Sequence, residues 1–166
     1  YGDGYNSVDF SSGYLDTYLD DYSSQELTMI FVFDSQGTTT ANTLFHAYNT
    51  DTVFWILDTE EVVSDNASIY SNNVWTDFSS GDLGELNVLT IRANDTFGSI
   101  YLNGIVDVFE SADLAISLQN GSVFDSEYFS RIGASAINSN EFLSDVRLSE
   151  VLILYDDISD TQLSLI

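Results

Sequence analysis

The chain has 166 residues and a formal net charge of −24, because 27 acidic residues stand against three arginines and no lysine. Phosphate contacts depend on lysine and arginine, so this balance argues against nucleic acid and against an anionic membrane surface as partners. Cysteine is absent, which excludes disulfides and thiolate zinc sites. No apolar run approaches the ~18 residues that would insert across a membrane. Salt or divalent cations would screen such a charge, so we expect a saline extracellular, cell-surface or virion-surface location.

Strand patterns run through the whole chain, and we expect one domain over residues 1–166. Residues 27–33 and 146–155 are apolar at successive positions, which is typical of central strands covered on both sides. Residues 88–92 and 99–102 alternate instead. Asn103 and Gly104 then have the composition of a type I′ hairpin turn, with residues 105–109 as the returning strand.

Helix is expected only near the C-terminus, where Ser159 and Gln162 form the pattern of a capping box. Many short strands without intervening helices are typical of a sandwich or a barrel. The sequence therefore predicts an all-β fold, a two-sheet antiparallel β-sandwich with at most one short C-terminal helix.

Four segments, in this order, resemble the laminin-G-like jelly rolls of the concanavalin A-like lectin and glucanase superfamily. Residues 8–16 resemble the opening strand pair, and residues 27–33 resemble the "F-T-I-S-A-W-V" core strand. Residues 89–104 are similar to the "L-Y-V-N-G" hairpin, and residues 131–160 to the closing "R-I-G-A-S…E-V-x-I-Y…L-S-D" run. Ser11 stands where the family usually has Asp, and Ser144 where it usually has Gly.

This resemblance implies one concave and one convex sheet, with ligands at the concave face or at the rim loops. Members of the family bind carbohydrates, proteins or other surface ligands, often with calcium at the rim. The fold does not imply one ligand, because it hosts lectins, glycosidases, adhesins and viral coat or fibre domains.

Catalytic residues are not predicted. Glycosidases of this superfamily place two Glu and one Asp at alternating positions of one strand, so that the carboxylates face the sugar, and neither Glu-x-Asp-x-Glu nor Glu-x-Asp-x-x-Glu occurs here. Glu60 and Glu61 are adjacent and would lie on opposite faces of a strand. His46, the one histidine, is accompanied by no nucleophile motif. The sequence therefore predicts that the chain is not an enzyme.

Candidate ligand residues follow from the chemistry of sugar binding, in which aromatic rings stack on the sugar and polar groups bond its hydroxyls. Trp55 shares alternating positions with Val53 and Leu57, and is interpreted as core. Trp75 follows a polar turn and is the better candidate. The predicted ligand-binding residues are Trp75, Tyr101, Asn72, Asn73 and Asp77.

Calcium is the one cofactor that the composition favours, because it takes about six to eight oxygen ligands from carboxylates and carbonyls. The alternative interpretation of each candidate is an exposed acid or a turn-forming residue. The three arginines are interpreted as half-buried partners of nearby acids. The candidate metal ligands are Asp20, Asp21, Asn94, Asp95, Asp156 and Asp157.

These features predict a noncatalytic extracellular recognition module that binds carbohydrate or another surface ligand, with a glycan or a surface protein as its partner. The alternative is a structural coat, decoration or fibre domain of a virion or cell surface, which would form homo-oligomers or a larger assembly. A glycoside hydrolase is the third hypothesis.

Overall fold

The computed structural model describes residues 8–9, 15–17, 26–35, 44–48, 53–56, 66–71, 74–79, 86–115, 130–133, 146–154, 156 and 158–163. Within these residues the chain forms twelve strands, a 3₁₀ turn at Ala112–Leu114 and a helix α1 at Asp160–Leu163. The strands are β1 (Val8–Asp9), β2 (Leu15–Thr17), β3 (Glu26–Ser35), β4 (Phe45–Tyr48), β5 (Val53–Ile56), β6 (Asn66–Ser71), β7 (Val74–Ser79), β8 (Leu86–Asn94), β9 (Gly98–Leu102), β10 (Ile105–Ser111), β11 (Ser130–Ile132) and β12 (Val146–Leu154).

The described strands form two sheets of six strands each. Sheet A has the order β1-β12-β3-β8-β9-β10, and sheet B has the order β2-β11-β4-β5-β6-β7. Each pairing of neighbouring strands is antiparallel. The predicted fold class, an antiparallel β-sandwich with a short C-terminal helix, is confirmed.

The core lies between the two sheets. Phe31 of β3 and Phe45 of β4 are both fully buried, and their ring centroids are 6.0 Å apart at an interplanar angle of 52°. Burial of one such side chain stabilises the fold by about 1.5–3 kcal/mol. Thr28 and Ile30, which alternate with the core residues of β3, are also buried. The expectation that β3 is covered on both faces is therefore confirmed.

The hairpin between β9 and β10 has the predicted turn. Asn103 and Gly104 both have positive φ, 53° and 76°, as a type I′ turn requires. The Asn103 side chain also ties the turn to β8, because its Oδ1 accepts from the Val88 N–H at 2.8 Å and its Nδ2 donates to Asn87 Oδ1 at 3.0 Å.

The predicted capping box begins helix α1. The Gln162 N–H donates to Ser159 Oγ at 3.3 Å, and the Ser159 N–H donates to Gln162 Oε1 at 2.9 Å. Both bonds satisfy backbone donors that the first turn of a helix otherwise leaves unpaired. Just before it, the Asp156 carbonyl accepts from Thr28 Oγ1 at 2.8 Å, which joins this segment to sheet A.

Candidate functional site

One line of residues crosses all six described strands of sheet B at the same register. Residues that pair directly across antiparallel strands share one face of the sheet. We call this line the aromatic row, because three neighbouring strands contribute an aromatic residue to it. From edge to edge, the aromatic row consists of Asp16, Arg131, His46, Trp55, Tyr70 and Trp75.

The aromatic row occupies the face of sheet B that is turned away from sheet A. The adjacent register line pairs Ile132 with Phe45 and Phe45 with Ile56. Ile132 and Phe45 are buried in the core, and Phe45 packs on Phe31 of sheet A. Because successive residues of a strand alternate between its two faces, the positions next to Phe45 and Ile132 belong to the outer face.

Two of the predicted ligand residues fall on this outer face. Trp75 lies at the end of the aromatic row on the edge strand β7, and Asp77 lies two positions further along β7, paired with Ser68. Asn72 and Asn73, in the connection between β6 and β7, lie outside the described residues.

The interpretation of Trp55 as a core residue stays a prediction, and the structure adds its register. Trp55 pairs with His46 and Tyr70, in the aromatic row, and not in the line of Phe45. Strand β5 has the sequence VFWI, so its four apolar residues provide no alternation from which the inner face could be read.

Tyr101 lies on sheet A, away from Trp75. Its neighbour Ile100 belongs to the core, so Tyr101 occupies the outer face of sheet A, where its side chain is 9% exposed. Its hydroxyl accepts from Arg92 Nη1 at 3.2 Å, and Arg92 Cζ is 5.9 Å from the centroid of its ring. The structure therefore divides the predicted ligand residues between the two outer faces of the sandwich.

Three of the predicted calcium ligands, Asn94, Asp95 and Asp156, lie among the described residues. Asn94 Oδ1 accepts from the backbone N–H groups of Thr96 at 2.8 Å and Phe97 at 2.9 Å. This oxygen thus stabilises the turn between β8 and β9. Asp95 and Asp156 are exposed. Asp20, Asp21 and Asp157 lie outside the described residues.

The described part of the chain contains neither a cluster of metal ligands nor a membrane-spanning helix. No group of three or more histidine, cysteine or acidic side chains there could hold a metal ion. No described helix is long and apolar enough to cross a membrane. The calcium sites stay predictions.

The arginines lie in the strands as expected, and all three are half-buried. Arg147 of β12 pairs in register with Asp9 of β1 and with Asp34 of β3. Arg131 pairs with Asp16. Two of the three arginines thus have an acidic residue opposite them in the register, and ion pairing between them stays a prediction.

No family model and no curated protein matches this sequence. Solved structures do match it. The NanB sialidase from Streptococcus pneumoniae aligns with 99% of this chain and 27% of its own, at 16% identity and a TM-score of 0.67. A heptameric SAP-like pentraxin from Limulus polyphemus aligns with 95% of this chain and 79% of its own, at 13% identity and a TM-score of 0.66.

A third match is Domain 4 of AbnA, a GH43 extracellular arabinanase from Geobacillus stearothermophilus, in complex with arabinotriose. It aligns with 88% of this chain and 69% of its own, at 18% identity and a TM-score of 0.60. The chain has the concanavalin A-like jelly-roll fold. This finding confirms the fold that the resemblance of the four sequence segments implies.

The matches to the concanavalin A-like fold correct one prediction. The chain was expected not to be an enzyme, but the structures that it matches include sialidases and an arabinanase, so this fold occurs in hydrolases. The chain spans 27% of the length of the NanB sialidase chain.

Proposed function

We propose that this chain is a carbohydrate-recognition domain that binds a glycan on the aromatic row of sheet B. The observation that carries the proposal is the register that aligns Trp55, Tyr70 and Trp75 on three adjacent strands. Neighbouring strands are about 4.8 Å apart, so three aligned positions span roughly 10 Å, enough for two sugar rings in succession.

The composition of the aromatic row suits a sugar. Aromatic rings offer flat apolar surfaces to the C–H faces of a pyranose or furanose, and a few polar groups then fix its orientation. His46 and Arg131 continue the row toward β11, and Asp77 lies beside Trp75 on β7. The row thus combines a stacking platform at one end with hydrogen-bonding groups at the other.

Similar solved structures support the same class of ligand. One of them is a domain in complex with arabinotriose, and another is a sialidase in complex with 2,3-difluorosialic acid. The arabinanase is extracellular, and we propose the same location for this chain, with calcium as an aid to binding that the assay below tests directly.

The test is a glycan array probed with labelled protein, once with calcium and once with a chelator. The buffer contains ~0.5 M salt, which screens the −24 charge over a few ångströms. For a glycan that binds, Trp75→Ala is expected to weaken affinity about tenfold, which corresponds to the loss of about 1.4 kcal/mol from one stacking contact. Trp75→Phe keeps a ring and should retain most of the affinity.

The matched control is Ile105→Ala, which removes a side chain that is 72% exposed on the other sheet and should leave glycan affinity unchanged. Unaltered binding by Trp75→Ala, with an unaltered melting curve, would remove the aromatic row as the site. A blank array from folded protein would contradict carbohydrate recognition and favour the structural coat hypothesis.

Glycan hydrolysis is a second candidate function, favoured by the similarity to sialidases and an arabinanase. Asp16 belongs to the aromatic row, and Asp77 occupies a position two residues beyond Trp75 on β7. Each glycan that binds should be incubated with the protein and assayed for released sugar. Release that disappears in Asp77→Asn, while binding persists, would establish the activity and place Asp77 in it.

A further inference from the structure

The outer face of sheet A contains a cavity of about 220 Å³, which we call the Arg92 pocket. It is smaller than the ~300–1,000 Å³ of pockets for drug-sized ligands, so it suits one sugar-sized group. It lies where the start of β3, the end of β8, the start of β9 and the end of β10 meet. The lining residues used below are Glu26, Arg92, Phe97, Tyr101, Phe109 and Glu110.

Arg92 is held in place within the pocket. Its Nη1 donates to the Tyr101 hydroxyl at 3.2 Å, and its Cζ lies 5.9 Å from the centroid of the Tyr101 ring. Arg92 is half-buried and Tyr101 is 9% exposed. A planar guanidinium fixed in this way is a preorganised hydrogen-bond donor.

The rim of the pocket is formed by an irregular stretch of β10. Phe109 and Glu110 of β10 both line this pocket. In this part of β10 the register with β9 shifts between Val108 and Ser111, and Glu110 adopts a φ of 48°. A β-bulge redirects side chains.

The redirected backbone is anchored by the Glu110 N–H, which donates to Ser99 Oγ at 2.9 Å. A positive φ is uncommon and unfavourable for a residue other than glycine. The conformation presents an aromatic ring that is 65% exposed beside a carboxylate, which is a pairing that sugar sites use.

We propose that the Arg92 pocket is a second carbohydrate site, which takes one neutral sugar unit on the face opposite the aromatic row. The exposed Phe109 ring contacts the apolar face of the sugar. Glu26 and Glu110 accept hydrogen bonds from its hydroxyls, and Arg92 donates to a hydroxyl or ring oxygen. Acidic sugars are disfavoured, because they would meet two carboxylates in a chain of charge −24.

Binding at the two sites can be measured independently, because both tryptophans of the chain are in sheet B. Protein labelled with 5-fluorotryptophan reports the aromatic row by ¹⁹F NMR. Saturation-transfer NMR with methyl glycosides of glucose, galactose and mannose reports binding anywhere on the protein. A neutral glycoside in the Arg92 pocket should give a transfer signal while both ¹⁹F resonances stay in place.

Phe109→Ala and Glu110→Gln are each expected to weaken this binding at least tenfold, and Trp75→Ala should leave it unchanged. The control is Ile105→Ala, which truncates a more exposed side chain of the same strand outside the pocket. Tyr101→Phe keeps the ring but removes the acceptor of Arg92, and should weaken binding less than Phe109→Ala.

Several results would overturn the proposal. These are no transfer signal from any neutral glycoside, full affinity in folded Phe109→Ala and Glu110→Gln, or preferential binding of glucuronic acid or N-acetylneuraminic acid. Loss of all binding in Trp75→Ala would also reject a second site, but the same result would support binding at the aromatic row. The experiment can therefore contradict one proposal without contradicting the other.

Discussion

Gly98 is required by a close approach of two backbones. A Cβ placed there would lie 2.6 Å from Leu114 Cβ and 2.8 Å from the Leu114 carbonyl oxygen. The 3₁₀ turn at Ala112–Leu114 therefore packs directly on the first residue of β9, and Leu114 is buried there. A side chain at residue 98 would separate the turn from the sheet.

Gly98→Ala is expected to lower the free energy of unfolding by about 1–3 kcal/mol, the usual cost of overpacking. Gly104→Ala is the comparison, because a Cβ there meets nothing within 4 Å, and only its φ of 76° opposes alanine. Denaturant unfolding of both variants at one salt concentration measures the difference. A Gly98→Ala protein as stable as the parent would contradict the close approach.

Glu110 is a residue at which stability and ligand binding should change in opposite directions. Glu110→Gly relieves the positive φ and is expected to raise the free energy of unfolding by up to about 1 kcal/mol. It also removes the carboxylate from the Arg92 pocket. Asp107→Gly, on the same strand at a position without positive φ, should instead lower stability. Thermal melts of the two variants, measured side by side, decide the sign.

At the scale of the elements, Arg147 places a positive charge between two acidic strand positions of sheet A. Arg147 of β12 lies between Asp9 of β1 and Asp34 of β3 in the register. Opposite charges that are directly paired across strands stabilise a sheet, whereas like charges so placed destabilise it. Without Arg147, the two aspartates would flank a neutral position in a chain that is already strongly negative.

Arg147→Gln is expected to lower the free energy of unfolding, and the loss should be smaller in ~1 M salt than in ~0.1 M salt, since the Debye length falls from about 10 Å to 3 Å. The control is Leu152→Gln, which changes an exposed residue of the same strand without changing the charge. Equal losses for Arg147→Gln at both salt concentrations would show that packing, and not charge, explains the effect.

The elements that the sequence predicted correctly carry their signals locally. The Asn103-Gly104 turn and the Ser159–Gln162 capping box need only neighbouring residues, and β3 is recognisable from its continuous apolar run. The register that places Trp55 beside His46 could not be predicted, because it is decided by pairing with another strand. The bulge at Glu110 has a positive φ without a glycine, so no residue type in the sequence indicates it. The Arg92 pocket therefore could not be predicted either.

At the scale of the whole molecule, the charge should govern stability. A net charge of −24 on 166 residues opposes compaction through self-repulsion, and added salt reduces that repulsion. The melting temperature is therefore expected to rise steadily with sodium chloride from ~0.05 to ~1 M. A melting temperature that is independent of salt would contradict this view.

Calcium tests a different property of the same molecule. A specifically bound ion raises the free energy of unfolding with the logarithm of its concentration. Charge screening depends only on ionic strength, so all salts at the same ionic strength have the same screening effect. Melting curves in calcium, magnesium and sodium chloride at matched ionic strength therefore separate a calcium site from charge screening. Superimposed curves would reject calcium as a structural ligand.

The irregular backbone of β10 has a consequence for self-association. β10 is the last described strand of sheet A, and its exposed apolar residues are Ile105, Val106 and Phe109. A straight, apolar edge strand is a site where a strand of another chain can pair. Two shifts of register, after Val106 and after Val108, break that edge into short pieces. The bulged backbone at Glu110 thus also interrupts the continuous strand edge on which a fibril would grow.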